Sequence, residues 1–254
     1  MHTECLPNEQ GTCKPENVII CASPFFDEAD LLEIRCREMA GLVDAHVIVE
    51  ADLTYTGKSK PWTFDQARFA PWPIIYYRIN LPPSLMRAWD REDIHRKFVF
   101  QVVKSLRPEI VFYLDIDEIP RISTLGRFNT SGQPIMHLGM DDLRYRADRV
   151  ARMPWTNPYV ARHDPEATRE PGRYDTRWPV LPDSGWHLCW MGGQQQVLKS
   201  AQAISHAEEE CGIEFARRVA AGDKPEFDQL TTYPLEQLPD CVKAEPGRWP
   251  ILFQ

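Results

Sequence analysis

The chain has 254 residues, 43% hydrophobic and 26% charged, an ordinary globular balance that fits one large domain or two small ones. A formal charge of −8 and a pI near 5.4 argue against bulk, sequence-independent binding to nucleic acid, which needs a cationic surface. With a mean hydropathy of −0.43, no run reads as long and apolar enough to span a bilayer, and Met1-His2-Thr3-Glu4-Cys5 has neither the basic region nor the apolar core of a signal peptide, so a cytoplasmic protein with no membrane segment is expected.

Residues 1–17, broken by Pro7, Gly11 and Pro15, read as a flexible leader, and residues 18–254 as one domain. Val18 to Ala22 has the continuous apolar character of a buried first strand, and Ser23-Pro24-Phe25-Phe26 makes the turn after it. A helix should start near Glu28, with Leu32, Cys36, Met39 and Val43 at helical spacing. Glu33 and Arg37 would pair on its opposite face, and Gly41 should end it. Ala45–Val49 reads as a second strand carrying Glu50 at its carboxyl end, followed by a loop from Thr54 to Pro61. Ile74–Ile79 is a third strand, stopped by Pro82-Pro83. A long helix over Ala88–Leu106 would bury Ile94, Phe98, Val102 and Leu106, and Arg107-Pro108 closes it. Strand–helix alternation of this kind predicts an α/β layer.

The next segment, Ile110-Val111-Phe112-Tyr113-Leu114, is apolar and β-prone and runs into Asp115-Ile116-Asp117-Glu118 before Ile119-Pro120. A buried strand that ends in acids delivers carboxylates to the edge of a sheet, where ligands of open α/β folds bind. If the strand continued, Asp115 and Asp117 would point to one side, since side chains alternate. Two carboxylates there suit a hard divalent cation such as Mn²⁺ or Mg²⁺, which prefers oxygen ligands. Glu118 would add a ligand or pair with Arg121.

The second half is less patterned. Met153 to Pro182, rich in proline, reads as a long loop, ordered or disordered, and Arg144, Arg146, Arg149 and Arg152 recur at near-helical spacing as a local cationic strip or a solvated helix face. Helices are expected from near Gln194 and from Glu208 to Ala221, and a proline-rich tail should wrap the surface. The seven cysteines are scattered, without a Cys-x-x-Cys pair, and read as free thiols.

Four blocks in order carry a resemblance: Phe25–Arg35; Val47–Ala51 with Thr54–Pro61; Trp89, Glu92 and Arg96 leading into Leu114–Pro120; and Gly185-Trp186-His187 with Met191-Gly192-Gly193 and Ser205-His206. Together they resemble glycosyltransferase family 17, the β-1,4-N-acetylglucosaminyltransferase-like proteins. Ser59 and His95 depart from its usual pattern, and Arg121–Asp183 matches poorly. The resemblance implies a GT-A-like nucleotide-sugar-binding fold, a single mixed central sheet flanked by helices with an irregular C-terminal part. It also implies metal-dependent, inverting transfer of a sugar, N-acetylglucosamine above all, from a UDP-sugar donor to a carbohydrate or other hydroxyl-bearing acceptor. A nucleic-acid acceptor is disfavoured by charge.

On that reading Asp115, Asp117 and His187 hold the metal. Phe25, Glu50, Lys58, Arg96, Trp186, Gly192 and Gly193 face the donor. Most have a plainer alternative: an ion pair of Glu50 with Lys58 or Lys60, a solvated surface lysine at Lys58, a helix-surface pair of Arg96 with Glu92, a core place for Trp186, a tight turn at Gly192-Gly193. Asp117 and Asp183 are the catalytic carboxylates, Asp183 as the base, with Asp141, Asp142 and Glu208 as other candidates for that role. Rival readings are a sugar-binding protein without turnover and a metal-dependent phosphoryl or nucleotidyl transferase.

Overall fold

Four parallel strands organise the first half: β1 (Ile19–Phe25), β2 (Ala45–Ala51), β3 (Ile74–Ile79) and β4 (Ile110–Tyr113), in the spatial order β4-β1-β2-β3. The structure is a computed structural model and describes residues 18–82, 87–164, 173, 175–224 and 229–254. The leader expected at 1–17 lies outside the described residues. All seven residues of β2 are buried, as a parallel strand covered on both faces requires. Its alternation divides the core: Val47 and Val49 pack under α3 (Ala88–Leu106) with Val99, Val102 and Val103, while Ile48 faces Leu31, Leu32 and Ile34 of α1 (Ala29–Glu38).

Helix α3 has the expected span, but its buried face is turned. Ala88, Arg91, Glu92, His95, Val99 and Val103 are buried; of the expected stripe Val102 is buried too, whereas Ile94, Phe98 and Leu106 are half-exposed. The first two turns of α3 lie over the carboxyl ends of the strands, where polar side chains meet a cleft instead of a core. Glu33 pairs with Arg37 as expected, but it is 1% exposed and its carboxylate also accepts from Arg68 and Arg248, so it ties α1 to α2 (Gln66–Phe69) and to the tail.

The second half is more regular than its sequence suggests. β8 (Tyr159–Arg162) runs antiparallel to β4, β6 (Ile135–Arg144) antiparallel to β8, and β9 (Val180–Cys189) parallel to β6. A short β5 (Glu118–Pro120) pairs antiparallel with β9, placing Glu118 opposite His187. β7 (Arg149–Val150) and β10 (Thr231–Thr232) extend the edge, and the described strands form one mixed sheet flanked by helices. Of the arginines read as a cationic strip or helix face, Arg144 ends β6, Arg146 sits in the turn, Arg149 begins β7 and Arg152 follows it; Arg144 binds Asp142 and Arg146 binds Asp148. Among the described residues, α2 (Gln66–Phe69), α4 (Ser123–Ser131), α5 (Gly193–Ala201), α6 (Glu210–Ala220) and α7 (Asp240–Ala244) complete the helices. The tail does more than wrap the surface: Val242, Trp249 and Leu252 are at most 1% exposed and fill the core on the α1 side. No helix among the described residues is long and apolar enough to cross a membrane.

Candidate active site

The acidic tetrad does not continue its strand. β4 ends at Tyr113, and the N–H of Glu118 returns to the carbonyl of Asp115 at 3.1 Å, closing a turn before β5 begins. The period-two alternation expected of Asp115 and Asp117 is therefore lost; both still line one cleft, but Asp115 and Glu118 share Arg173 while Asp117 takes another partner.

Asp115 turns towards α3. Arg96 grips both its oxygens (2.9 and 3.2 Å), and Arg173 reaches Oδ2 at 3.1 Å. Burial opposes its ionisation, but the guanidiniums of Arg173 and then Arg96 outweigh burial and hold the carboxyl well below the usual range. Glu118 is fully buried and accepts from the Asp115 N–H (2.6 Å), from Trp155 Nε1 (2.6 Å) and from Arg173 (2.5 and 3.3 Å). Its partner is Arg173, not Arg121, which binds Asp141 and Asp183 instead. Asp117 alone faces His187, with Oδ2 3.5 Å from Nε2.

His187 is fixed from every side. Its Nδ1 bonds Asp142 Oδ1 at 2.8 Å, and the Trp155 ring stacks on it at a centroid distance of 4.4 Å. Burial disfavours its cation, yet the carboxylates of Asp117 and Asp142 prevail and push its pKa up to about 10. Gly185 makes the β5–β9 apposition possible, because a Cβ there would stand 2.2 Å from the Ile119 carbonyl oxygen.

Asp115, Asp117, Arg96, Arg173 and Trp155 line a cleft of about 250 Å³ at the carboxyl ends of β1, β2 and β4, while His187 and Glu118 lie buried beside it. Phe25, Phe26, Tyr55, Trp89 and Trp155 give it aromatic walls, and Lys60, Arg96 and Arg173 give it cations. The ammonium of Lys60 lies 5.4 Å from the centre of the Phe26 ring and that of Lys199 lies 5.6 Å from it. At the rim His206 meets Trp89 edge-on at 4.6 Å, and both bind Glu209. Deeper in, Arg96 binds Glu92, which also accepts from the buried Ser205 hydroxyl.

Half-buried Glu28 lies in the same wall. Its Oε2 accepts from the backbone N–H groups of Phe26 (2.9 Å) and Asp27 (3.1 Å). Burial, and then the charge of Asp27, push its carboxyl up to about 7.

Several residues expected at the donor stand elsewhere. Glu50 is buried and fully used: Lys60 Nζ (2.6 Å), Tyr76 OH (2.6 Å), Thr63 N–H (2.7 Å) and Thr63 Oγ1 (2.9 Å) all donate to it. It anchors the loop that carries Lys60 to the cleft, and the ion pair is its role in the fold. Lys58 is exposed and does not line the cleft. Trp186 is core, its indole N–H bonded to the Gln237 carbonyl at 2.8 Å and its ring covered by Arg121 at 4.1 Å. Gly192 and Gly193, at φ 103° and 74°, start α5, and Gly193 borders a small separate cavity. Only the far end of α5, at Ser200, reaches the cleft. Asp183 is exposed, bound to Arg121 and outside the cleft lining. Asp141 binds Arg121 and Tyr233, and Asp142 is occupied with His187 and Arg144.

The sequence reading missed Arg173 and Trp155. They lie in the proline-rich stretch, far from the acids they serve, and no local pattern marks them.

The family model described as glycosyltransferase family 17 matches residues 5–218. The rat (Rattus norvegicus) β-1,4-mannosyl-glycoprotein 4-β-N-acetylglucosaminyltransferase is 31% identical over 115 residues, 40% of this chain and 21% of that protein. Its human (Homo sapiens) counterpart is 31% identical over 106 residues, 37% of this chain and 20% of that protein. The matches thus span about a fifth of the length of these relatives. Among solved structures, S. aureus TarS 1–349 aligns with a TM-score of 0.38 at 10% identity, over 80% of this chain and 69% of that one. A glycosyltransferase involved in glycosylation of the major capsid of PBCV-1 aligns with a TM-score of 0.32 at 12% identity, over 80% of this chain and 99% of that one. With the family model covering most of its length, the chain belongs to glycosyltransferase family 17.

Proposed function

We propose that this glycosyltransferase moves N-acetylglucosamine from a UDP-sugar to a hydroxyl of a saccharide acceptor, with inversion at the anomeric carbon. The observation that carries this reading is the apposition of Asp117 and His187 beside a wall of Lys60, Arg96 and Arg173. That wall matches a diphosphate in charge, and two guanidiniums held at one carboxylate are preset to bind phosphate oxygens. The aromatic walls suit a nucleobase and a sugar face.

The donor set also fits a divalent cation, Mn²⁺ or Mg²⁺. Asp117 Oδ2 and His187 Nε2 stand 3.5 Å apart, near the ~3 Å between neighbouring ligand atoms of one octahedral ion, and a cation entering there would displace the Nε2 proton that the carboxylates otherwise hold. Asp142 fixes the imidazole from behind through Nδ1, the arrangement that orients metal-binding histidines. Among the described residues no third His, Cys, Asp or Glu joins them in a ligand cluster. The remaining positions fall to diphosphate oxygens and water, as is usual for Mg²⁺ with phosphates. Asp115 is not a ligand in this arrangement; it holds Arg96 and Arg173 in place. When bound, the cation would neutralise charge on the departing diphosphate as a Lewis acid. The residues themselves orient the donor, supply the cations around its phosphates and keep water from its anomeric carbon.

The test is UDP release from UDP-N-acetylglucosamine in a Mn²⁺ titration. Wild-type protein should release UDP with a saccharide acceptor present. Asp117→Asn combined with His187→Gln should lose at least 10²-fold in rate and its response to Mn²⁺. Unchanged turnover by the double variant would overturn the reading, and tight binding without turnover by wild type would favour a sugar-binding protein.

A further inference from the structure

A second cavity, of about 270 Å³, adjoins the cleft and shares Glu28, Asp117, Ser200 and Ile204 with it. Its neighbour sets Lys60, Arg96 and Arg173 beside its acids, and this wall does not. Asp27, Glu28, Asp30 and Asp117 line it, and no lysine or arginine does. Trp190 forms part of its wall, backed by Phe215 at 4.2 Å between ring centres. Asp27 uses Oδ2 on Lys199, while its Oδ1 is buried with no hydrogen-bond partner among the described residues. An unpaired buried acceptor costs free energy until a donor reaches it. Glu28 stands in the shared wall, with Oε2 held by two backbone N–H groups and Oε1 without a hydrogen bond among the described residues.

We propose that this second cavity is the acceptor subsite, that it takes an uncharged or amine-bearing saccharide, and that Glu28 is the base that receives the acceptor's proton. The inference rests on the transferase reading above. Asp30 is paired with Arg68 and Asp27 Oδ2 with Lys199, which leaves Glu28, Asp117 and Asp27 Oδ1 to accept from sugar hydroxyls or an ammonium, and no lysine or arginine in the wall answers a phosphate, sulfate or uronate. Asp27 Oδ1 supplies an acceptor waiting for such a hydroxyl, and Trp190 offers an apolar face for a pyranose ring. In the step itself the acceptor oxygen bonds to the anomeric carbon as the bond from that carbon to the diphosphate oxygen breaks. The nucleoside diphosphate leaves with the electron pair, and the hydroxyl proton passes to Glu28 Oε1 and then to water. A carboxylate with one oxygen fixed and the other free, between the donor and acceptor cavities, is placed for that transfer.

Glu28→Gln tests the assignment, because the amide oxygen can still accept from Phe26 and Asp27 while the side chain no longer takes a proton. The expected result is a loss of transfer of roughly 10²–10⁴-fold, with UDP–Mn²⁺ affinity by calorimetry and the melting temperature close to wild type. Glu28→Asp should recover part of the loss. Near wild-type transfer by Glu28→Gln, in a protein whose wild type does transfer, overturns the inference and leaves the transferase reading standing. Specificity is tested by UDP release with mannobiose, chitobiose and a chitosan dimer against a hyaluronan disaccharide and mannose 6-phosphate. Faster release with the first group supports the subsite, and Gln196→Lys in its wall should narrow the difference. A preference for the anionic group overturns it. A wild type that releases no UDP with any of them overturns the transferase reading and the inference with it.

Discussion

The parallel layer of β1–β4 and the segment from β5 to β9 contribute to the cleft in opposite ways. The parallel layer contains the acids most visible in the sequence, yet it spends them internally: Glu50 anchors the Lys60 loop, and Asp115 clamps Arg96. The later segment has one conspicuous block, Gly185-Trp186-His187, yet Trp155 and Arg173, which no motif marks, join His187 in closing around Glu118 and Asp117. A strand end can present a carboxylate, but only a second element crossing it can give that carboxylate a partner and a direction.

If this division holds, the largest effect belongs to Arg173. Arg173→Met leaves the fully buried Glu118 without its guanidinium, a loss of about 3–5 kcal/mol by denaturant titration. It should also weaken UDP binding. Wild-type stability together with wild-type affinity would break the comparison.

The parallel layer should dominate the acid side of stability. Burial holds His46 neutral down to about 3 and His95 down to about 4, both below the ordinary 6.5. Below pH 6.5 the unfolded chain takes up protons that these folded imidazoles refuse. Stability contributed above pH 6.5 is therefore lost as pH falls towards 4, at about 1.4 kcal/mol per pH unit for each histidine. Melts from pH 4.5 to 7.5 should show this slope, and His46→Gln should flatten it. A slope that survives in both His46→Gln and His95→Gln would assign it to other groups.

The smallest effect sharpens the role of Glu50. Tyr76→Phe removes one of its donors and should cost about 1 kcal/mol with little change in donor affinity. Lys58→Ala should change neither. A tenfold weaker KM for UDP-sugar in Tyr76→Phe would return Glu50 to the donor site.

The sequence alone determined much of the α/β layer. Continuous apolar runs mark β1, β2 and β4, the span of α3 is legible to the residue, and four blocks in order point to the family. These features are local, since period, composition and spacing act within a few residues. The destinations of the side chains were decided by tertiary structure alone. Alternation along a strand predicted a common direction for Asp115 and Asp117, but the turn at 115–118 cancelled it, and β9 with Arg173 chose which acid faces which partner. Ion pairs and hydrogen bonds form between groups the fold brings within about 3 Å, and that proximity is written in no stretch of sequence short enough to read.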